Sequence, residues 1–232
     1  MNALLIETAT DICSTACYLD GQVVGEVVST ERFQHASHLT TFIQQSLTAA
    51  NLTAKELDYV VLSDGPGSYT SLRVGAATAK GLCVALPGLA FKDIATLKSI
   101  AYGARSVAEK LNVDHIVATI ASRRDEVYAQ VFKDWKTPID EVRSEELTTE
   151  SFAELRKNGS LLIVGSGTEK VRSILGESDG IFYRPEVICR ASNLVGPFEE
   201  WLERSTAPAN IAAYEPTYLK PPFVTKSTKK LL

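Results

Sequence analysis

One arrangement occurs twice in this chain and restricts its architecture more than any other feature. An apolar run at residues 58–63 is stopped by Asp64-Gly65-Pro66-Gly67-Ser68, and a small-residue helix pattern follows over about 70–86. In the second half an apolar run at 161–164 is stopped by Gly165-Ser166-Gly167, and Val171, Ile174 and Leu175 mark another helix. A strand that turns through glycine into a helix, once in each half, predicts an α/β protein of two related lobes. The halves are expected to meet near residues 105–115.

The rest of the pattern fits that frame. Residues 3–8, 12–19 and 22–29 read as strands of an antiparallel meander, the last two joined by the hairpin signal Asp20-Gly21. Leu39, Phe42, Ile43, Leu47 and Ala50 recur at three and four and predict a helix over 35–51. Asp93 reads as an N-cap for an amphipathic helix carrying Ile94, Leu97, Ala101, Ala104, Ala108 and Leu111. Strands at 115–121 and 126–132 flank the charged turn Ser122-Arg123-Arg124-Asp125. A short helix is expected at 151–157, and a last one holds Leu194, Phe198, Trp201 and Leu202. Pro216, Pro221 and Pro222 make the tail extended.

Composition narrows the function classes. A chain of 232 residues with 45% hydrophobic and 22% charged residues can bury a sizeable core. Its net charge of −4 argues against a free-standing nucleic-acid binder. Cys13, Cys17, Cys83 and Cys189 form no CxxC and sit in apolar stretches, as buried reduced thiols of a cytoplasmic protein do. The start, MNALLIETATD, lacks the basic region of a signal peptide, and no run approaches a membrane span.

Three segments carry candidate chemistry. Glu7-Thr8-Ala9-Thr10 ends a strand in small hydroxyl residues, and such a turn presents N–H groups and hydroxyls to a phosphate, or is simply a polar turn. Gly65-Pro66-Gly67-Ser68 opens a helix, where free N–H groups and the dipole favour an anion; a rigid strand-to-helix turn is the competing reading. It matches neither a dinucleotide fingerprint nor a Walker A loop. Thr8, Thr10, Gly65, Gly67 and Ser68 are thus candidates for a vestigial nucleotide cleft, with Gly165-Ser166-Gly167 opposite. His35 and His38 are too few for a catalytic metal, His115 is distant, and no Ser/His/Asp triad can be drawn. No catalytic or metal residue is assigned.

The run Gly65-Pro66-Gly67-Ser68-Tyr69-Thr70-Ser71-Leu72-Arg73-Val74-Gly75 resembles GPGSFTGLRIG, the hallmark of the TsaB (YeaZ) family, with Tyr69 for Phe and Ser71 for Gly. Ile6-Glu7-Thr8-Ala9-Thr10 and Glu215-Pro216-Thr217-Tyr218-Leu219-Lys220 resemble the family's start and its EPxYLR near the end, so the resemblance spans nearly the whole chain. It implies an actin-like ATPase (ASKHA, ribonuclease H-like) superfold, with an N-terminal lobe over 1–108 and a C-terminal lobe over 109–232.

The resemblance also implies a non-catalytic scaffold, required with its paralogue TsaD and the ATPase TsaE for threonylcarbamoyl transfer to adenosine 37 of tRNAs reading ANN codons. TsaD holds its metal with HxxxH; the corresponding Phe91-Lys92-Asp93-Ile94-Ala95-Thr96-Leu97 has no histidine. The expected docking surface for TsaD lies on the helices at 35–51 and 70–86, at His38, Phe42, Gln45, Arg73, Ala76, Ala79 and Lys80, with a homodimer through the same face in isolation. Gly75, Ala76, Ala79 and Gly81 would let another helix come close. No cofactor is required by this chain, ATP or ADP is admitted at the complex interface, and tRNA is met only through the complex. The alternative is an ATP-dependent phosphotransferase or ATPase acting on its own.

Overall fold

The computed structural model describes residues 1–221 except residues 30 and 205. Two five-stranded sheets carry the fold. In the first, β1 (Asn2–Glu7), β2 (Ser14–Leu19) and β3 (Gln22–Val28) form the antiparallel meander, and β4 (Tyr59–Gly65) and β5 (Ala90–Ala95) run parallel to β1, in the order β3-β2-β1-β4-β5. In the second, β6 (His115–Ala121), β7 (Glu126–Phe132) and β8 (Arg143–Glu146) are antiparallel neighbours, and β9 (Leu161–Val164) and β10 (Ile181–Arg184) run parallel to β6. The order β10-β9-β6-β7-β8 repeats the first sheet strand for strand. The echo read from the glycine turns is therefore a duplication of topology, and the architecture is the two-lobed α/β actin-like arrangement.

Strand periodicity sorts the core into layers. On one face of the first sheet Leu4, Ile6, Val60 and Leu62 pack under α1 (His35–Ala49) and α2 (Tyr69–Ala85). On the other face Ala3, Leu5, Ala16 and Val61 meet Leu194 and Phe198 of α7 (Val195–Glu203) and the 3-10 turn before it. In the second sheet Ile116, Ala118, Leu162 and Val164 cover α3 (Thr96–Gly103) and α4 (Arg105–Leu111). Val117, Val127, Leu161 and Ile163 face Val171 of α6 (Thr168–Leu175) and Phe152, beside α5 (Ala153–Asn158). Helices α3 and α7 thus fill a shared middle layer, tied by Lys98 to Glu200 at 2.7 Å. The position 108/109 falls inside α4, whose apolar face packs on the second sheet, and α7 returns from the end of the chain to the first.

Several local expectations change. Asp93 is no N-cap: it lies within β5, paired beside Leu62, and the helix begins at Thr96. The apolar run around Phe91 and Ile94 is consumed by pairing with β4, so Ile94 sits on the first sheet while Leu97 begins the helical face of the second. The expected single helix divides at Ala104. Strands β8 and β10 had no expectation: the sequence of β8, Arg143-Ser144-Glu145-Glu146, has no apolar residue, and its place is set by pairing at a sheet edge with β7. The hairpin at Asp20-Gly21 forms with both residues at positive φ, 45° and 91°, as a tight primed turn requires. Pro222 and the rest of the expected extended tail lie outside the described residues.

Candidate functional site

A cleft of about 820 Å³ opens between the lobes. One wall is the β1–β2 turn with Ala9, Thr10 and Asp11, together with Gly67, Ser68 and Tyr69 at the start of α2. The facing wall is Ile120 to Arg123, Gly165, Ser166 and Glu169. The two glycine turns therefore face a common cleft, as their matching contexts predict. Phe33 stands at the rim with 75% of its surface exposed and φ of 62°, beside Arg32, which pairs with Asp11 at 3.0 Å.

Part of each turn's backbone is held by the protein itself. Gly65 N–H donates to Thr96 Oγ1 at 3.0 Å, Pro66 has no N–H, and Ser68 N–H donates to the Ala9 carbonyl at 2.7 Å. A side chain at Gly67 would collide with that carbonyl. On the β1–β2 turn Ala9 N–H goes to Glu7 Oε1 at 2.6 Å, and Ile12 N–H to Thr10 Oγ1 at 3.4 Å. In the second lobe Gly165 N–H donates to Val187 O at 2.9 Å, and the turn presses on the Thr119 carbonyl. A phosphate cradle needs convergent free N–H groups, and those of Ala9, Ile12, Gly65, Ser68 and Gly165 are engaged within the protein. Thr8 is buried against Gly75, and Gly65 is buried as well. Of the five cleft candidates, Thr10, Gly67 and Ser68 line the cavity. Ser68 also caps α2, accepting from Ser71 N–H at 3.4 Å.

Under the cleft floor lies Glu7, fully buried. Its Oε1 accepts from Ala9 N–H and from Ser63 Oγ at 2.8 Å, while Oε2 has no partner in the protein. Burial pushes the carboxyl up to about 7 against these donors. His35 is buried at the start of α1 and His38 is exposed, its Nδ1 2.7 Å from Ser37 Oγ. Among the described residues, no three His, Cys, Asp or Glu side chains gather as metal ligands.

The expected docking residues divide. His38, Gln45 and Arg73 are exposed and Lys80 is half-buried, all on the outer layer. Phe42, Ala76 and Ala79 are core residues, at 9%, 6% and 0% exposure, so their placement on a partner-facing surface is corrected. Small size at Gly75, Ala76 and Ala79 serves packing within the lobe. The outward positions of α2 are instead Arg73, Ala77, Gly81 and Val84, the last 82% exposed. Helix periodicity alone could not choose between these neighbouring stripes of small residues.

Sequence reasoning also missed the tail as a cleft component. Tyr218, Leu219, Lys220 and Pro221 line the mouth, and Lys220 pairs with Glu126 at 2.6 Å. The signal was the Glu215–Lys220 motif of the resemblance, but its meeting with Glu126 rests on tertiary proximity.

A family model described as "TsaD: tRNA N6-adenosine threonylcarbamoyltransferase" matches residues 22–175. The tRNA threonylcarbamoyladenosine biosynthesis protein TsaB of Escherichia coli (strain K12) is 28% identical over 227 residues, 95% of each chain. The uncharacterized protein Rv3421c of Mycobacterium tuberculosis is 32% identical over 165 residues, 70% of this chain and 71% of that one. Among solved structures, YeaZ from Pseudomonas aeruginosa superposes with a TM-score of 0.76 at 18% identity, covering 94% of this chain and 99% of that one. This likeness fixes the fold. No helix of the described residues is long and apolar enough to cross a membrane.

Proposed function

The chain belongs to the TsaD family, in its TsaB (YeaZ) branch, and from that premise we propose that it is a cytoplasmic, non-catalytic scaffold in tRNA threonylcarbamoyladenosine synthesis. It would act with a TsaD-type transferase and a TsaE-type ATPase on adenosine 37 of tRNAs reading ANN codons. The observation that carries this reading is the end-to-end match to a protein named for that biosynthesis. The stretch in which TsaD carries its metal-binding HxxxH is here β5 and the start of α3, without histidine and with Phe91 and Leu97 in the core.

The outer layer supports a docking role. Helix α1 contains no charged residue, and α2 contains only Arg73 and Lys80. Exposed Thr41, Gln45, Thr48, Ala77, Gly81 and Val84 make a face without charged side chains, and depletion of charge is a mark of interface centres. The TsaD-type partner would pack its own helices there, and a second copy of this chain would do so in its absence. ATP or ADP, if held, would sit where the partner completes the site.

The test is reconstitution with a TsaD-type and a TsaE-type protein from one organism, with tRNA, ATP, threonine and bicarbonate, read by nucleoside mass spectrometry. The full set should form threonylcarbamoyladenosine, and omission of this chain should abolish it. Modification by this chain alone, or an undiminished rate without it, would overturn the proposal. ATP turnover by the isolated chain would instead favour an independent ATPase.

A further inference from the structure

The lobes are joined at the back by packed elements: α3 and α7 share the middle layer, and Ala191 N–H reaches Ser14 Oγ at 2.9 Å. At the front, across the cleft mouth, they are joined by the tail. Its first part is anchored on the first lobe. Ala209 N–H donates to Phe91 O at 3.0 Å, and Tyr214 is buried with its ring 4.7 Å from that of Phe91. Thr217 then grips Asp64 twice, by N–H to the carbonyl at 2.9 Å and by Oγ1 to Oδ2 at 2.6 Å. Gly65, at φ of 119°, accommodates this contact: a Cβ there would stand 2.5 Å from Thr217 O. The Tyr218 ring lies 4.7 Å from that of Tyr69, which Arg73 covers at 4.5 Å.

Three residues later the same segment is held by the second lobe. Lys220 Nζ lies 2.6 Å from Glu126 Oε1, and Arg123 Nη2 donates to Pro221 O at 3.2 Å. The receiving β6–β7 turn is itself braced, because Lys170 Nζ donates to the carbonyls of Ser122, Arg124 and Glu126. One stretch of chain therefore runs from the glycine turn of one lobe to a stiffened turn of the other.

We propose that residues 217–221 are a latch that holds the two lobes closed over the cleft, and that its release lets them swing apart about the α3–α7 layer. The latch also binds the Gly65–Gly75 and Glu215–Lys220 motifs into one unit, since the latter grips the glycine turn and the first turn of α2. The cleft width and the first turn of α2 are thereby coupled. The single Lys220–Glu126 pair is partly exposed, and such pairs contribute little alone. The latch works through the sum of its grips on both sides, so its test must weaken both.

The experiment uses the full chain with Cys83→Ser and spin labels at Glu31→Cys and Glu169→Cys, exposed positions on either side of the cleft. Pulsed electron resonance should give one narrow distance distribution. Thr217→Val combined with Lys220→Glu should shift it to longer distance and broaden it. Adding Glu126→Lys should restore part of the narrow component, because the repulsion between the two carboxylates is replaced by a pair of opposite sense. Circular dichroism identifies any variant that fails to fold, and then the milder two-sided change Thr217→Ala with Lys220→Gln carries the test by the same shift and broadening. A distribution unchanged in the folded variants, or no recovery on charge reversal, overturns the latch.

Discussion

Glu7 and Ser63 meet at 2.8 Å between the adjacent strands β1 and β4, with both side chains wholly buried and no basic residue joined to the carboxyl. The Oε2 atom of Glu7 lacks any protein partner, so ionisation here is opposed by lost hydration. The carboxyl is pushed up to about 7 from an ordinary 4.5. Between those values the folded state holds a proton that the unfolded state has released, so this contribution to stability is full below pH 4.5 and is lost as pH rises through 7. The whole effect is about 3 kcal/mol. Urea unfolding at pH 5, 6, 7 and 8 should show Glu7→Gln gaining on the parent as pH rises, because glutamine carries no charge to bury. A difference between the two proteins that stays constant with pH would refute this assignment.

Gly67 and Gly81 should respond oppositely to the same substitution. A methyl group at Gly67 would enter the space of the Ala9 carbonyl and stand 2.8 Å from the Ala9 Cβ, where backbone must move. Gly67→Ala should cost about 1–3 kcal/mol. Gly81 lies within α2 with nothing within 4 Å of a Cβ, so Gly81→Ala should stabilise by about 1 kcal/mol. Urea midpoints of the two variants at equal slope check both signs. A neutral Gly67→Ala would mean that the turn is looser than its contacts imply.

These glycines show what the sequence could and could not disclose. The turn at residues 64–68 was legible because a β-strand ended by Gly-Pro-Gly before a helix admits few geometries, and its twin at 165–167 made the duplication visible. The use of the Gly65 and Ser68 N–H groups was not legible, since Thr96 at the start of α3 and Ala9 in the β1–β2 turn come to them from distant parts of the chain. Ile94 was misplaced because one apolar residue every three or four also fits a buried strand running into a helix. β8 escaped because a charged edge strand has no hydrophobic period to read. Ala76 and Ala77 are chemically identical neighbours, and only packing distinguishes the one in the core from the one facing out.

That distinction separates docking from folding in a mutational test. Ala77→Arg places a charge on the outer face and should leave folding within about 0.5 kcal/mol of the parent. On a sizing column it should no longer co-elute with a TsaD-type partner, since an unpaired charge in an interface centre has little to offset its lost hydration. Ala79→Arg, at 0% exposure, should instead fail to fold. Normal co-elution of a folded Ala77→Arg protein would move the interface away from α2.

The four thiols offer a readout of the same face without altering its shape. Cys13, Cys17 and Cys189 are buried, and burial pushes the first up to about 12 and the second up to about 11, with Cys189 raised well above the ordinary range. None should react with an aromatic disulfide reagent in the native protein, because the reagent attacks only an accessible thiolate. Cys83 is half-buried on α2, next to exposed Val84, and is raised less far by desolvation. Native protein should therefore titrate one thiol, slowly at pH 7 and faster at pH 9, while denatured protein titrates four. If a partner covers the outer face of α2, a saturating TsaD-type protein with its own cysteines removed should slow that one reaction at least tenfold. It should leave the count in denaturant unchanged. Equal rates with and without the partner, under conditions where the complex is seen on a sizing column, would place the contact on another surface.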